Sequence, residues 1–169
     1  MKLNQNVARR CAKSGIIASL YVILTLVLYP ISYGGIQLRV AEALSILPLF
    51  YSEAVLGLTV GCLISNMLGT NGVIDVVFGT LATFIASVLT YAIGKKTKGK
   101  TRLILGGLPP VIVNAIIVPF TFLLTLTNLK KLYFMSCLQV FCGQALAVYL
   151  LGAPLYFSLK KRKNKKGLL

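Results

Sequence analysis

Long apolar stretches fill most of the 169-residue chain, and strongly polar side chains interrupt them at only a few places. A helix that spans a membrane needs about 20 mainly apolar residues, and several stretches reach or approach that length. Hydrophobic residues make up 57% of the chain, which exceeds the usual share of a soluble domain. The sequence therefore predicts an all-α, polytopic membrane protein.

Proline, glycine and charged residues divide the chain into six predicted helices, because they punctuate or end apolar segments. The predicted helices are 14–31, 36–50, 53–68, 73–94, 103–126 and 132–159. A loop at 30–35 is predicted between the first two. The fifth helix is expected to be interrupted by three prolines, Pro109, Pro110 and Pro119. We expect one membrane domain over residues 1–169, with a helical bundle at 14–159 between basic ends at 1–13 and 160–169.

The positive charge is concentrated in three segments. Lysine and arginine number 18 against three acids, and they gather in 1–13, in 95–102 and in 160–169. Six spans place all three segments on one side of the membrane, whereas five would place one basic end outside. The positive-inside rule therefore favours six helices with both termini cytoplasmic. The pair Lys130-Lys131, in a predicted outer loop, is an exception.

Composition also excludes several functions. The basic flanks are typical of segments that meet anionic lipid headgroups, and no base-stacking or helix-turn-helix pattern accompanies them, so nucleic acid is not an expected partner. The chain has no histidine, and its four cysteines lack C-x-x-C spacing, so neither a metal site nor a catalytic set is predicted. The cysteines are expected to be buried free thiols. We expect no ATP site in this chain, no cofactor and no enzymatic activity.

Strong polar side chains from five segments are predicted to reach a similar depth in the outer half of the bilayer. They are Gln37, Arg39, Glu42, Asn66, Asp75, Asn114 and Gln139. A charged group in a membrane helix costs about 2.5–3.5 kcal/mol on insertion scales, so such groups usually contact partners or ligands. This grouping predicts a solute-binding site that opens to the outside.

Each of these residues also has a simpler structural interpretation. Arg39 and Glu42 are three residues apart and would share a helix face, where they could pair with each other. Asp75 would suit the first turn of the fourth helix, where negative charge complements the helix dipole. The amides Asn66, Asn114 and Gln139 could each form an interhelical hydrogen bond. Their common depth on separate helices favours the binding site over these separate roles.

The first helix carries small residues at four-residue spacing. The pairs are Ser14 with Ala18 and Gly15 with Ser19. Small side chains at this spacing let another membrane helix approach closely, so this face is a candidate partner interface. The pattern is common in membrane helices and does not identify a partner by itself.

The segment 31–44, ISYGGIQLRVAEAL, resembles the QueT family, the proposed queuosine-precursor-binding S components of energy-coupling factor (ECF) transporters. Weaker matches lie at 57–66, 75–83 and 151–155. The resemblance implies a six-helix S component in the plasma membrane, with an outward-facing pocket capped by the loop between its first two helices. It also implies association, through small residues of the first helix, with a membrane coupling subunit and two ATPases. ATP would be used by these partners alone.

The resemblance further implies a 7-deazaguanine solute, such as the 7-aminomethyl form. Glu42 and Asp75 would accept its N–H groups and meet its aminomethyl cation, with the division between the two acids left open. The amides Gln37, Asn66, Asn114 and Gln139 would read its remaining edges. Tyr33, with Tyr29 beside it, would stack on the flat ring.

Two alternatives remain at this stage. One is an S component for another vitamin-like solute. The other is a non-transporting membrane scaffold subunit, whose polar side chains would only join its helices to each other.

Overall fold

The computed structural model describes residues 2–32, 39–70, 72–125 and 130–165, with the backbone alone described for 2–4, 31, 121–125 and 130–132. This part of the chain contains helices and no strand. In chain order they are α1 (Lys2–Val27), α2 (Tyr29–Ser32), a 3₁₀ helix (Val40–Leu49), α3 (Glu53–Leu68), α4 (Gly72–Lys96), α5 (Gly99–Thr125), α6 (Lys130–Ala145), a π-helical segment (Leu146–Leu151) and α7 (Gly152–Lys165).

The prediction of six helices in a membrane bundle is confirmed. Four helical units are long and apolar enough to span a membrane, and the 3₁₀ helix and α3 are two shorter apolar helices. The long units are Gln5–Val27, Gly72–Lys96, Gly99–Phe120 and Tyr133–Lys165. The last of them joins α6, the π-helical segment and α7 into one continuous helix.

Several predicted boundaries were wrong. The first helix begins at Lys2, not residue 14, so most of the basic N-terminal segment is helical. Pro30 lies in the short helix α2 instead of a loop, while residues 33–35 of that predicted loop lie outside the described residues. The Lys130-Lys131 pair forms the start of α6 and is not in a loop.

The 3₁₀ helix lies at the centre of the bundle. It contacts α1, α3, α4, α5, the π-helical segment and α7, and all its residues from Ala41 to Leu49 are buried. It begins at Val40, not at residue 36 as predicted, because Arg39 before it is extended. A 3₁₀ helix rises about 2.0 Å per residue against about 1.5 Å for an α-helix. Ten residues therefore cover roughly 20 Å, which lets a short segment reach far across the bundle.

Two glycines of α3 allow α1 to pack closely against it. A Cβ atom at Gly57 would lie 2.8 Å from the Ser14 carbonyl oxygen, and one at Gly61 would lie 2.8 Å from Cβ of Tyr21. The hydroxyl of Ser14 also donates to the Glu53 carbonyl at 2.9 Å. Backbone approach of this kind is the usual way in which membrane helices gain packing energy.

The three prolines do not interrupt α5, contrary to the prediction. Pro110 has no N–H for the carbonyl of Gly106 four residues earlier. The Thr90 hydroxyl of α4 donates to that carbonyl at 2.9 Å, so a neighbouring helix replaces the missing bond. Membrane helices tolerate proline where neighbours satisfy the freed backbone in this way.

The three basic segments meet at one end of the bundle, which agrees with the predicted topology. Lys13 pairs with Glu53 at 3.3 Å, and Lys163 donates to the Phe50 carbonyl at 2.9 Å. The guanidinium of Arg102 donates to the carbonyl of Leu49. The start of α1, the α4–α5 connection and the end of α7 are thereby held around the inner end of the 3₁₀ helix, which we call the basic end.

The cysteines are all free, as predicted, but only Cys62 is buried. Cys11 and Cys142 are exposed and Cys137 is half-buried, so the expectation of buried thiols was wrong for these three. A thiol is only weakly polar, so a cysteine can lie among apolar side chains without being buried in the core.

The close α1–α3 approach gives a stability prediction. The substitution Gly61→Val should lower the unfolding free energy by about 1–3 kcal/mol, because its side chain would overlap Tyr21 and the Ala18 backbone. The unfolding midpoint in detergent measures this. Gly15→Val is the control, since a Cβ at Gly15 meets nothing within 4 Å. Equal midpoints for both variants would contradict the packing assigned to Gly61.

Candidate binding site

A cluster of buried polar side chains surrounds the outer half of the 3₁₀ helix, at the end opposite the basic end. It draws on α1, α3, α4 and the 3₁₀ helix itself. Its members are Tyr21, Arg39, Glu42, Ser45, Cys62, Asn66, Asp75 and Thr83, each less than 10% exposed. We call this set the polar cluster.

Arg39 and Asp75 form an ion pair inside the cluster. Their side chains are 8% and 5% exposed, and the guanidinium lies 3.2 Å from the Asp75 carboxylate. Asp75 lies in the first turn of α4, as predicted, while Arg39 is the extended residue before the 3₁₀ helix. The argument that Arg39 shares a helix face with Glu42 was therefore wrong. The extended backbone instead directs Arg39 across to α4.

Glu42 is 2% exposed and is held by two hydroxyl groups. Tyr21 of α1 donates to one carboxylate oxygen, and Ser45 donates to the other at 2.7 Å. Both of these donors are neutral. The hydroxyls therefore fix the carboxylate in place while leaving its negative charge for other positive or hydrogen-bonding groups.

Asn66 links α3 to α4 beneath the ion pair. Its amide nitrogen donates to the Asp75 carbonyl at 3.3 Å and to the Cys62 sulfur at 3.4 Å. Gly79 leaves room for it, since a Cβ there would lie 2.7 Å from that nitrogen. The side-chain oxygen of Asn66 is buried and accepts no hydrogen bond from the described residues. A buried acceptor without a donor costs about 1–3 kcal/mol, so this oxygen is suited to receive a ligand N–H.

Four of the predicted site residues, Arg39, Glu42, Asn66 and Asp75, lie in the polar cluster. Asn114 is buried, but its amide donates at 2.9 Å to the Pro110 carbonyl of its own helix. Gln139 is exposed and does not join the cluster. The predicted residues Tyr33 and Gln37 lie outside the described residues.

The sequence interpretation missed several members of the cluster. Tyr21 lies within the apolar run of α1, where nothing nearby indicates a polar contact. Cys62 was taken for an apolar filler, although it precedes Asn66 by one helical turn and receives a hydrogen bond from Thr83 at 3.2 Å. Gln144 of α6 was not predicted for the site either. It is 6% exposed, and its side-chain oxygen has no donor among the described residues.

The predicted partner face of α1 divides into two parts. Ala18 is buried and Ser14 is half-buried, and both face α3. Gly15 and Ser19 are exposed. A groove of about 570 Å³ between α1 and α3 is lined by residues that include Ser14, Gly15 and Ala18. The small residues thus both pack α1 onto α3 and leave a shallow groove open on the outer surface of the bundle.

The chemistry of the polar cluster suits recognition of a polar solute. It combines two carboxylates, a guanidinium, hydroxyls and a primary amide, all held by hydrogen bonds in a largely dry environment. Such a set can read the donors and acceptors of a small ring by direct hydrogen bonding. No group of three metal-ligating side chains lies together in the part of the chain that the structure describes.

Comparison with known proteins places the chain in a family. The family model described as QueT transporter matches residues 11–161, which is most of the chain. The chain belongs to the QueT transporter family. The queuosine precursor transporter QueT of Lactococcus lactis subsp. cremoris (strain MG1363) is 46% identical over 72 residues. That alignment covers 41% of this chain and 42% of the relative, so the chain matches less than half of the relative's length. No solved structure matches the chain.

The protein is a multi-pass membrane protein, and the family to which it belongs is one of transporters, not of enzymes. The resemblance noted at 31–44 therefore identified the family correctly.

The ion pair of the polar cluster gives a second prediction. Asp75→Asn should lower the unfolding free energy by about 3–5 kcal/mol, because it leaves the buried Arg39 charge without its carboxylate. Adding Arg39→Gln should restore part of that loss, so the two changes should not be additive. Unfolding midpoints of the single and double variants in detergent measure the coupling.

The matched control is the ion pair at the basic end, Lys13 with Glu53, whose Lys13 side chain is 55% exposed. Its disruption by Lys13→Gln should change stability by at most about 1 kcal/mol. If Asp75→Asn proves as mild as Lys13→Gln, or if the Arg39 and Asp75 effects simply add, the buried pair is not the stabilising contact described above.

Proposed function

We propose that this protein is the solute-binding component of an importer for a queuosine precursor, a 7-deazaguanine such as the 7-aminomethyl form. The observation that carries the proposal is the polar cluster. It brings Glu42, Arg39, Asp75 and Asn66 together, buried and fixed, in a QueT-family chain. The Lactococcus lactis relative, a queuosine precursor transporter, supports the choice of solute.

In this proposal Glu42 is the main acceptor for the solute. Its carboxylate is held by the neutral hydroxyls of Tyr21 and Ser45, so its charge is available to the N–H groups or the aminomethyl cation of the solute. The Asn66 oxygen, which lacks a described donor, would accept a further N–H. Purine-like rings present several N–H donors on one edge, and a buried carboxylate with a nearby amide oxygen complements them.

Arg39 and Asp75 would act together on the hydrogen-bond acceptor of the solute, its carbonyl group. The guanidinium donates to the Asp75 carboxylate at 3.2 Å, and with solute bound it would also direct an N–H group toward the carbonyl of the solute. Asp75 would then orient Arg39 and also lie within reach of a positive group on the solute. Tyr33 and Gln37, which lie outside the described residues, stay predicted contacts of the solute.

The energy for import would come from partner proteins. We propose that the protein associates with a membrane coupling subunit and two ATPases of an ECF module, and that it needs no cofactor itself. The groove between α1 and α3 is the proposed contact, because it exposes Gly15 and is bordered by apolar side chains such as Leu56 and Val60. Apolar surface next to small residues suits a crossing membrane helix.

The proposed location is the plasma membrane, with the basic end in the cytoplasm. The positive-inside rule supports this orientation, since the basic segments meet at one end of the bundle. The polar cluster then lies toward the outer side, where the solute enters.

Ligand binding to the purified protein tests the proposed solute. In detergent, 7-aminomethyl-7-deazaguanine at a hundred times its dissociation constant should stabilise the folded state by about 2.7 kcal/mol. 7-Cyano-7-deazaguanine, guanine and riboflavin are the comparison compounds. Stabilisation by the deazaguanines alone would support the proposal. A folded sample that none of these compounds stabilises would overturn the assignment of the solute.

Variants of the acids test the roles within the site. Glu42→Gln should abolish most of the stabilisation by ligand, because it removes the charge while keeping the size of the side chain and an oxygen for Tyr21. The matched control is Glu53→Gln at the basic end, which should bind the ligand normally. The outcome that contradicts separate roles is an equal loss of affinity for the aminomethyl and cyano compounds in both Glu42→Gln and Asp75→Asn. In that case it is not true that one acid binds the base edge and the other the aminomethyl group.

A bulky residue in the groove tests the proposed partner contact. Gly15→Leu should leave folding and ligand binding unchanged, since nothing lies within 4 Å of its Cβ position, but it should prevent co-purification of the coupling subunit. Ala92→Leu, at an exposed position in the groove between α4 and α5, is the control and should retain the partner. Normal complex formation by Gly15→Leu would exclude this groove as the contact.

A further inference from the structure

A cavity lies at the basic end, at the opposite end of the bundle from the polar cluster. It has a volume of about 380 Å³ and opens between the end of α4, the start of α5 and the end of α7. Four cationic side chains line it, together with Phe50 and Tyr156. The four are Lys95, Lys98, Arg102 and Lys160.

None of the acidic side chains of the chain is placed to balance these four charges. The chain contains only three acids. Glu42 and Asp75 belong to the polar cluster, and Glu53 forms an ion pair with Lys13 at 3.3 Å. The cavity is therefore strongly positive, and its low-dielectric walls strengthen the attraction for an anion.

Arg102 is fixed in an orientation that leaves a donor unused. Its guanidinium donates to the Leu49 carbonyl and lies 5.0 Å from the centre of the Phe50 ring. Its Nε–H is buried and has no acceptor among the described residues. A buried donor of this kind is costly, and an anionic oxygen would satisfy it with a charge-assisted hydrogen bond.

The first turn of α5 adds to the positive field. The helix begins at Gly99, whose positive φ of 66° suits glycine, and the hydroxyl of Tyr156 donates to the Gly99 carbonyl at 2.7 Å. The first-turn N–H groups of an α-helix have no partners within the helix and carry the positive end of its dipole. Fixed amides thus lie beside the lysines at the same cavity.

We propose that this cavity binds a phosphate group, held by Arg102, Lys98 and Lys160. The cavity lies where the basic end meets the membrane surface, and basic pockets between helices at that level bind the headgroups of anionic lipids. The phosphate can belong to a phospholipid headgroup or be free inorganic phosphate, since both present the same oxyanion. This site is separate from the solute site and does not depend on the proposed solute.

A pair of charge-matched double variants tests the proposal. K98Q/K160Q removes two cavity charges, one from the α4–α5 connection and one from α7. K100Q/K161Q also removes two charges close by, one from the first turn of α5 and one from α7, but neither residue lines the cavity. No hydrogen bond or ion pair is described for Lys98 or Lys160 within the structured ranges, so both variants should fold with unchanged midpoints in neutral detergent without added probe.

The probes are phosphatidylglycerol added to the detergent and, separately, sodium phosphate. We expect a probe to raise the unfolding midpoint of the wild type and K100Q/K161Q, with at least a tenfold weaker apparent affinity in K98Q/K160Q. This pattern with phosphatidylglycerol alone identifies a lipid headgroup, and the same pattern with sodium phosphate identifies free phosphate. Equal losses in both variants would show general attraction to positive charge and overturn the proposal, as would no stabilisation by either probe.

Discussion

The rest of the structure depends on the burial of a short, charged helix in the middle of a membrane bundle. The 3₁₀ helix brings Glu42 into the interior and is preceded there by Arg39, and neither charge is tolerable in hydrocarbon without compensation. Compensation comes from Tyr21 of α1 and Ser45 for Glu42, and from Asp75 of α4 for Arg39. Asn66 of α3 in turn donates to the backbone carbonyl of Asp75. The polar cluster therefore joins the helices as well as forming the candidate solute site.

The polar cluster is compatible with both the structural and the binding interpretation that the sequence left open. Its hydrogen bonds and its ion pair join α1, α3, α4 and the 3₁₀ helix, and the proposed function adds solute contacts to the same groups. Asn66 shows the division most clearly. Its nitrogen donates to the backbone of α4, while its oxygen is buried without a described donor. A purely structural amide would be expected to use both ends.

The fold was largely predictable because apolar length and charge distribution are local properties of a sequence. Six helices and the gathering of the basic segments at one end follow from them. The proline-containing α5 was not predictable in this way, since its continuity depends on the hydroxyl of Thr90 from another helix. The 3₁₀ geometry of 40–49 and the extended backbone at Arg39 also arise from packing within the bundle.

The sequence identified the charged members of the polar cluster and missed several of the weaker polar ones. Arg39, Glu42 and Asp75 stand out because their cost in a membrane is large wherever they lie. Tyr21 and Cys62 do not stand out in the sequence, since tyrosine and cysteine side chains are also common among apolar neighbours. Gln139 and Asn114 were included in the predicted set but do not join the cluster. Gln139 is exposed, and Asn114 donates to a carbonyl of its own helix, because depth along a helix does not fix the direction in which a side chain points.

The hydrogen bond from Thr90 to the Gly106 carbonyl also limits how the bundle can move. That carbonyl has lost its own helical partner to Pro110, and separation of α4 from α5 would leave it bare in hydrocarbon. Sliding one helix along the other by a single residue would have the same effect. Any rearrangement of the bundle is therefore expected to keep α4 and α5 together and to take place at another contact between helices.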